Sequence, residues 1–302
     1  MSDRHTILVW SEQGAIVDGP AALRAGGVLP SAYEWRVFLD RLLLWSGAVA
    51  LGAALVFLVA YNWNDLGKFA KFALAEVLLV GAVLGYWLSG PERASGKASL
   101  LVACIVLGAL LALFGQTYQT GADTWELFAT WAGLMIPWVL VARFAGLWIL
   151  LIAVVNSAIV LYFRVFPGLL GIALSTEHQL WTLFAFNSTA LTVWELAARR
   201  LAWLDERWAP RLLAVASGTT ATVLMLHAIF DSREASGLAP PIYLAWLVCT
   251  YLAYRIAIRD VLVLAGTCLS LIVVVTSFLA RHLLDRTGEA GAFLFIALIV
   301  IA

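Results

Sequence analysis

Apolar residues run through this chain in nine stretches of about twenty, set nearly back to back with short polar joints. They cover 42–61, 69–88, 99–115, 126–142, 144–163, 180–198, 211–230, 240–258 and 261–280. A helix needs about 20 apolar residues to cross the hydrocarbon core of a bilayer. The pattern therefore predicts an all-α fold, a polytopic transmembrane helical bundle. A tenth run begins near Ala290 and ends in the wholly apolar Leu298-Ile299-Val300-Ile301-Ala302. Thirteen residues reach only about 20 Å at helical rise, short of the ~30 Å core. The expectation is about ten spans, the last one truncated.

The remaining segments give weaker signals. Asp3, Glu12, Asp18, Glu34 and Asp40 are scattered through the first 41 residues, and no apolar run there ends in a small-residue cleavage site, which argues against a signal peptide. Residues 6–17 read either as a short hairpin around Glu12-Gln13-Gly14 or as a weak helix. Ser31-Ala32-Tyr33-Glu34 is a Ser-x-x-Glu capping box. It predicts a helix that carries Tyr33, Trp35 and Phe38 at the membrane interface before entering the first span. The chain thus divides into an N-terminal cytoplasmic segment, 1–41, and a transmembrane domain, 42–302. Val165–Leu174, broken by Pro167, reads as an interfacial or re-entrant piece. Gly81 and Gly85 form a GxxxG pair in span two, and Ser46, Ala50 and Ala54 a small-residue stripe on span one, both suited to close helix packing.

Composition agrees with a lipid setting. Hydrophobic residues make up 63% and charged residues 13% of the 302, and mean hydropathy is +0.93; soluble domains carry about 25% charged residues. Lys+Arg and Asp+Glu are equal at 19 each, so no net charge recruits nucleic acid. Placing the N-terminus in the cytoplasm puts 13 of the 19 basic residues in cytoplasmic segments and 6 outside, the positive-inside bias. Cys104, Cys249 and Cys268 lie far apart within apolar spans, without metal or redox spacing, and read as small core residues. No cofactor and no metal site is indicated.

Intramembrane polar residues are expensive to bury and point to function. Glu76 sits seven residues into span two. Asn156 lies in span five, Asn187-Ser188-Thr189 in span six and His227 near the end of span seven. Interhelical hydrogen bonding is the expected role of Asn156, Asn187 and His227, and Glu195 is placed to pair with Arg199 at i,i+4. Two loop motifs stand out further. Tyr61-Asn62-Trp63-Asn64-Asp65 follows span one, and Gly115-Gln116-Thr117-Tyr118-Gln119-Thr120-Gly121-Ala122-Asp123-Thr124-Trp125-Glu126 follows span three. The charge bias puts both outside. Their mix of rings, amides and carboxylates suits a polar ligand, so Asn62, Trp63, Glu76, Gln116, Tyr118, Gln119, Asp123, Trp125 and Glu126 form the candidate ligand-binding set. A plainer account makes the rings an interfacial belt, with Asp123 or Thr124 capping span four.

These motifs carry a resemblance. Asn62-Trp63, then Gly115-Gln116-Thr117-Tyr118-Gln119 with Asp123, Leu127-Phe128, Trp131 and Pro137, is similar in order and spacing to the bacterial membrane proteins grouped as domain of unknown function 2157. It covers roughly residues 31–140. The resemblance implies a multi-span protein of the bacterial inner membrane and brings no activity with it.

Three function classes follow. A catalytic site needs a nucleophile with a base, or a metal with ligands, and the chain has no His-Glu-x-x-His, Gly-x-Ser-x-Gly or Walker loop. His5, His178, His227 and His282 are dispersed. A non-catalytic scaffold, assembly or envelope-sensing protein with an outer-facing polar and aromatic site is favoured. Its partner is the lipid bilayer, joined by another membrane protein or a second copy. The alternatives are a transporter or channel for a small solute using Glu76 and span six, and an enzyme on an envelope or lipid-linked substrate through Glu76, Asp123 and Glu126. The orientation is directly testable. In a cysteine-free background, a membrane-impermeant thiol reagent added to intact cells should label a cysteine at Thr120 and spare one at Lys97; the reverse pattern inverts the topology.

Overall fold

The apolar runs fold as helices whose ends follow local backbone chemistry. The computed structural model describes residues 9–10, 12–15, 21–23, 32–61, 67–166, 168–169, 172–173, 175–231 and 237–287. Among these, the long helices are α1 (Ala32–Tyr61), α2 (Lys68–Ser89), α3 (Ala94–Tyr118), α4 (Thr124–Ala142), α5 (Ala145–Val165), α6 (Thr176–Ala198), α7 (Trp208–Phe230), α8 (Ala239–Leu252) and α9 (Val261–Thr287). Each contains or overlaps one of the nine expected spans. Seven, namely α1 to α5, α7 and α9, are long and apolar enough to cross a membrane. The other two fall outside that group for different reasons: α6 carries Glu177, His178, Gln179, Asn187 and Glu195, and α8 is only 14 residues before the helix widens into a π turn, Ala253–Ala257. The tenth run lies outside the described residues.

Several helix ends are closed by positive-φ residues. Gly90 (φ +85°) ends α2 and donates its N–H to the Tyr86 carbonyl. Gln119, Arg143 and Arg259 take left-handed φ of +46°, +45° and +55° at the ends of α3, α4 and the π turn. Near the N-terminus, the helix reading prevails over the hairpin: Gln13 N–H reaches the Val9 carbonyl and Ala15 N–H the Trp10 carbonyl, around Gly14 at φ +70°. The second bond spans five residues, as in a glycine-closed helix end. α1 begins at Ala32, just after the capping-box serine, which itself lies outside the described residues. Tyr33, Trp35 and Phe38 are exposed along its first turns.

Between α5 and α6 the described residues form no helix. Instead Gly168–Leu169 (β1) pairs antiparallel with Ile172–Ala173 (β2), in register Gly168 with Ala173 and Leu169 with Ile172. The segment read as interfacial or re-entrant thus carries a minimal ladder. Prolines lack an N–H and glycines weaken helices, so Pro167-Gly168 favours this outcome.

The chain divides into two compact units, Met1–Thr117 and Tyr118–Ala302. In the first, Ala48 of α1 packs with Ala98, Val102 and Val106 of α3, joined by Leu78, Leu79 and Ala82 of α2. Gly52, rather than the expected Ser46, Ala50 and Ala54, continues the packed stripe of α1; a Cβ there would meet the Ile105 side chain at 3.2 Å, while those three are exposed. Residues two apart differ by about 200° around a helix, so the two stripes face nearly opposite ways. Gly85 of the GxxxG pair lies against Ser99, whereas Gly81 meets nothing within 4 Å. Cys104 is buried, but Cys249 and Cys268 are exposed, so only one of the three is a core residue.

In the second unit α4 packs on α5, α6 on α7, and α7 on both α8 and α9. Ala145, Leu191, Trp194, Leu213, Ala214 and Tyr254 share one core cluster. Asn156 of α5 and Asn187 of α6 exchange side-chain amide hydrogen bonds: Asn187 Nδ2 donates to Asn156 Oδ1 at 2.7 Å, and Asn156 Nδ2 to Asn187 Oδ1 at 3.1 Å. Each Nδ2 also reaches a carbonyl one turn back, Leu183 at 2.8 Å and Ile152 at 2.9 Å. The interhelical role expected of both asparagines is realised by this one pair. His227 differs: its Nε2 is buried with no partner among the described residues. Replacing Asn187 with leucine strands the Asn156 amide and should cost about 1–2 kcal/mol of unfolding free energy in mixed micelles. A cycle with Asn156→Leu should return a coupling of about 0.6 kcal/mol; strictly additive losses would remove the pair as a tie between α5 and α6.

Candidate functional site

Four helix ends of the second unit meet in one charged cluster. Glu195 lies in the last turn of α6. A short 3-10 turn, Ala202–Leu204, then leads to Arg207 at the N-cap of α7, with Arg211 one turn further on. The π turn after α8 presents Tyr254, and Asp260 precedes α9. Arg207 grips Glu195 with both terminal nitrogens, Nη1 to Oε2 at 3.1 Å and Nη2 to Oε1 at 3.2 Å. Tyr254 OH donates to the same Oε1 at 2.7 Å. Arg211 Nε donates to Asp260 Oδ2 at 2.9 Å, and Arg207 Nη2 reaches that oxygen at 3.4 Å. Asp260 Oδ1 accepts the Leu262 N–H at 3.1 Å, so one carboxylate caps α9 and holds two arginines.

Burial makes these contacts consequential. The Asp260 side chain is 3% exposed and that of Glu195 14%, against 34% and 42% for Arg207 and Arg211. Burial alone would raise the Asp260 carboxyl; the Arg211 hydrogen bond and charge, the Leu262 amide and the Arg207 charge outweigh it and hold the group below its ordinary range. Burial likewise disfavours the Arg207 cation, but Glu195, Asp260 and Tyr254 together hold it above its usual value. The i,i+4 pair expected between Glu195 and Arg199 does not form. Arg199 sits at the C-cap of α6 and is exposed, while Arg207 offers a fork geometry that engages both carboxylate oxygens.

Beyond the cluster, hydroxyls link the helices. Ser188 and Ser217 hydroxyls lie 2.8 Å apart, and Trp246 Nε1 donates to Ser217 at 3.0 Å. Further along, Ser270 contacts Thr222 at 2.7 Å and the Tyr243 hydroxyl at 2.8 Å. Beside these bonds a cavity of about 290 Å³ opens between α7, α8 and α9, lined by Arg211, Gly218, Trp246, Gly266, Leu269 and Val273 among others. A second, more open cavity of about 580 Å³ includes the Asn156–Asn187 pair, Arg164 and Thr220 in its lining. Among the described residues no group of three His, Cys, Asp or Glu is placed to hold a metal ion.

The residues singled out from the sequence are distributed differently. Asn62 and Trp63 lie outside the described residues, as does Asn64. Glu76 and Gln116 belong to the first unit; both are exposed and neither has a partner among the described residues. Tyr118, Gln119, Asp123, Trp125 and Glu126 belong to the second unit. Tyr118 and Gln119 are exposed, the latter in the left-handed turn that closes α3. Asp123 occupies the N-cap of α4, but its carboxylate makes no capping bond; its carbonyl accepts the Glu126 N–H at 3.0 Å instead. Trp125 packs edge-on against Tyr162 and Phe166 of the α5 end, ring centres 5.1 and 6.0 Å away. The rings of this motif therefore act partly as a helix anchor. The charged cluster escaped the sequence reading, although one signal was present: Glu195, Arg207, Arg211 and Asp260 all fall at span ends assigned to the same side of the membrane.

Comparison with known proteins gives one match. Residues 22–148 match the family described as Predicted membrane protein (DUF2157). This stretch takes in α1 to α4 and the start of α5, including both polar loop motifs; the charged cluster and both cavities of the second unit draw most of their residues from outside it. No curated protein and no solved structure matches the chain. It is a membrane protein with several helices able to span the bilayer.

Because the folded Asp260 carboxyl lies below its unfolded value, its stabilisation is present above about pH 4 and is lost as pH falls through the folded value. Asp260→Asn should therefore flatten the acid limb of the stability-against-pH curve and lower stability at pH 7 by about 1–3 kcal/mol. An unchanged acid limb in Asp260→Asn would remove this residue as the source of the pH dependence.

Proposed function

We propose that this chain is a non-catalytic integral protein of the bacterial inner membrane, a scaffold, assembly or envelope-sensing factor. In this reading it has about ten spans and a cytoplasmic N-terminus. The outer-facing segment from Tyr118 to Glu126 is its recognition element toward a membrane-protein partner or a second copy. The single observation that carries the reading is that three sets of interior polar side chains and one charged cluster of the second unit satisfy one another. Asn156 and Asn187, Ser188 with Ser217 and Trp246, Thr222 with Ser270 and Tyr243, and Glu195 and Asp260 with Arg207 and Arg211 are all engaged. Such engaged sets favour one rigid arrangement. A carrier would instead leave polar groups of α6 free for a solute to replace water around.

The two readings part under a covalent lock. In a cysteine-free background, Ser188→Cys with Ser217→Cys places two thiols where hydroxyls now stand 2.8 Å apart, so that oxidation ties α6 to α7. A scaffold should complement the phenotype of a chromosomal deletion equally well before and after oxidation. Loss of complementation on oxidation, restored by reduction, would favour the transporter.

A further inference from the structure

The cavity between α7, α8 and α9 joins an apolar slot to a cationic lip. Its floor includes Gly218 and Gly266, and its walls Val223, Leu269 and Val273. Of the hydroxyls along it, Thr222 and Ser270 are spent on each other and Thr267 on the Val263 carbonyl, and the lining is otherwise mostly apolar. From Leu262 to Val273 its α9 wall runs about 16 Å by helical rise. The lip is different. Arg211 reaches Asp260 through Nε alone, and its two terminal nitrogens carry no partner among the described residues. At the same end of the unit Arg199, Arg200, Arg255 and Arg259 are exposed, and their side chains have no partner among the described residues. Counting Arg207 and Arg211, six arginines there face four acids, Glu195, Asp205, Glu206 and Asp260. Around a membrane protein, such a junction of apolar groove and unspent guanidinium matches a molecule with a fatty chain and an anionic phosphate.

We propose that this slot binds one anionic phospholipid, its phosphate on the free Arg211 nitrogens and one acyl chain laid over Gly266. Glycine matters here for space: a Cβ at Gly266 would meet no atom within 4 Å, so the helix surface is open where the chain lies. A Cβ at Gly218 would come within 3.3 Å of the Trp246 ring, so that ring packs on Gly218 and bounds the open part of the slot. The lipid belongs to the leaflet on the arginine-rich side, since Arg211 stands at that end. The assignment holds whether or not the scaffold reading does.

Native mass spectrometry of the full-length protein, loaded from neutral micelles with phosphatidylglycerol or phosphatidylcholine of identical chains, tests it. The wild type should retain one phosphatidylglycerol with a preference of about tenfold over phosphatidylcholine, the scale of a charge-assisted hydrogen bond. Arg211→Gln should erase that preference while leaving phosphatidylcholine retention unchanged. Should that variant fail to fold, Gly266→Leu, which fills open space and leaves the charged cluster intact, carries the test alone. It should lose the retained lipid at an unchanged unfolding temperature. Equal retention of the two lipids by the wild type, or full retention by Gly266→Leu, overturns the proposal. So does displacement of the lipid by millimolar glycerol 3-phosphate, which would assign the lip to a free phosphate ester.

Discussion

A polar side chain inside a helical membrane bundle has to find its partner within the protein, because hydrocarbon supplies none. The second unit is arranged around this requirement. Each Asn of the Asn156–Asn187 pair spends its carbonyl oxygen on the other and its amide nitrogen on the other and on its own helix. Such a pair contributes only about 0.6 kcal/mol on average, yet a stranded amide costs more than that. The constraint therefore acts through the cost of misplacement. It sets the rotation of α5 against α6, and the apolar neighbours then pack around that choice.

The charged cluster applies the same constraint at the helix ends. Glu195 and Asp260 are nearly buried, and two arginines, a tyrosine hydroxyl and a backbone amide satisfy them. Removing one partner of such a group is far costlier than the net worth of the pair. The backbone bends to deliver the partners. The π turn, closed by Ile258 N–H on the Ala253 carbonyl, and the left-handed Arg259 bring Asp260 N–H onto the Tyr254 carbonyl at 3.1 Å. π turns are rare and tend to occur where a side chain must be re-aimed. Here the turn places Tyr254 over Glu195 while Asp260 caps α9. The ends of α6, α7, α8 and α9 are thus tied at a single point.

With those ends fixed, the bundle can leave a slot elsewhere without collapsing it. Gly266 leaves the α9 side of the slot open, while Trp246, held by its hydrogen bond to Ser217, packs on Gly218 of α7. Two glycines of the first unit mark close contacts, as Gly218 does. There Gly52 and Gly85 let Ile105 and Ser99 of α3 approach α1 and α2 closely. The same residue type thus marks a close helix contact at Gly52, Gly85 and Gly218 and an open surface at Gly266; which of the two it marks depends on what the neighbouring helix presents.

The sequence by itself determined the order of the nine long helices among the described residues. An apolar run of about twenty residues commits its own backbone to helix in a low-dielectric medium, whatever its neighbours are. The start of α1 after Ser31 and the polar break between α3 and α4 were legible for the same local reason. So was the need of Asn156 and Asn187 for hydrogen bonds, since the side-chain chemistry requires it. Only the tertiary structure decided the partners. Glu195 had a suitable cation four residues away in Arg199, but the structure gives it Arg207, because a fork held across two helix ends engages both oxygens and one exposed neighbour does not. Likewise the packed stripe of α1 runs through Ala48 and Gly52 rather than Ser46, Ala50 and Ala54. A helix carries small residues on several faces, and the face that packs is chosen by the helix set against it.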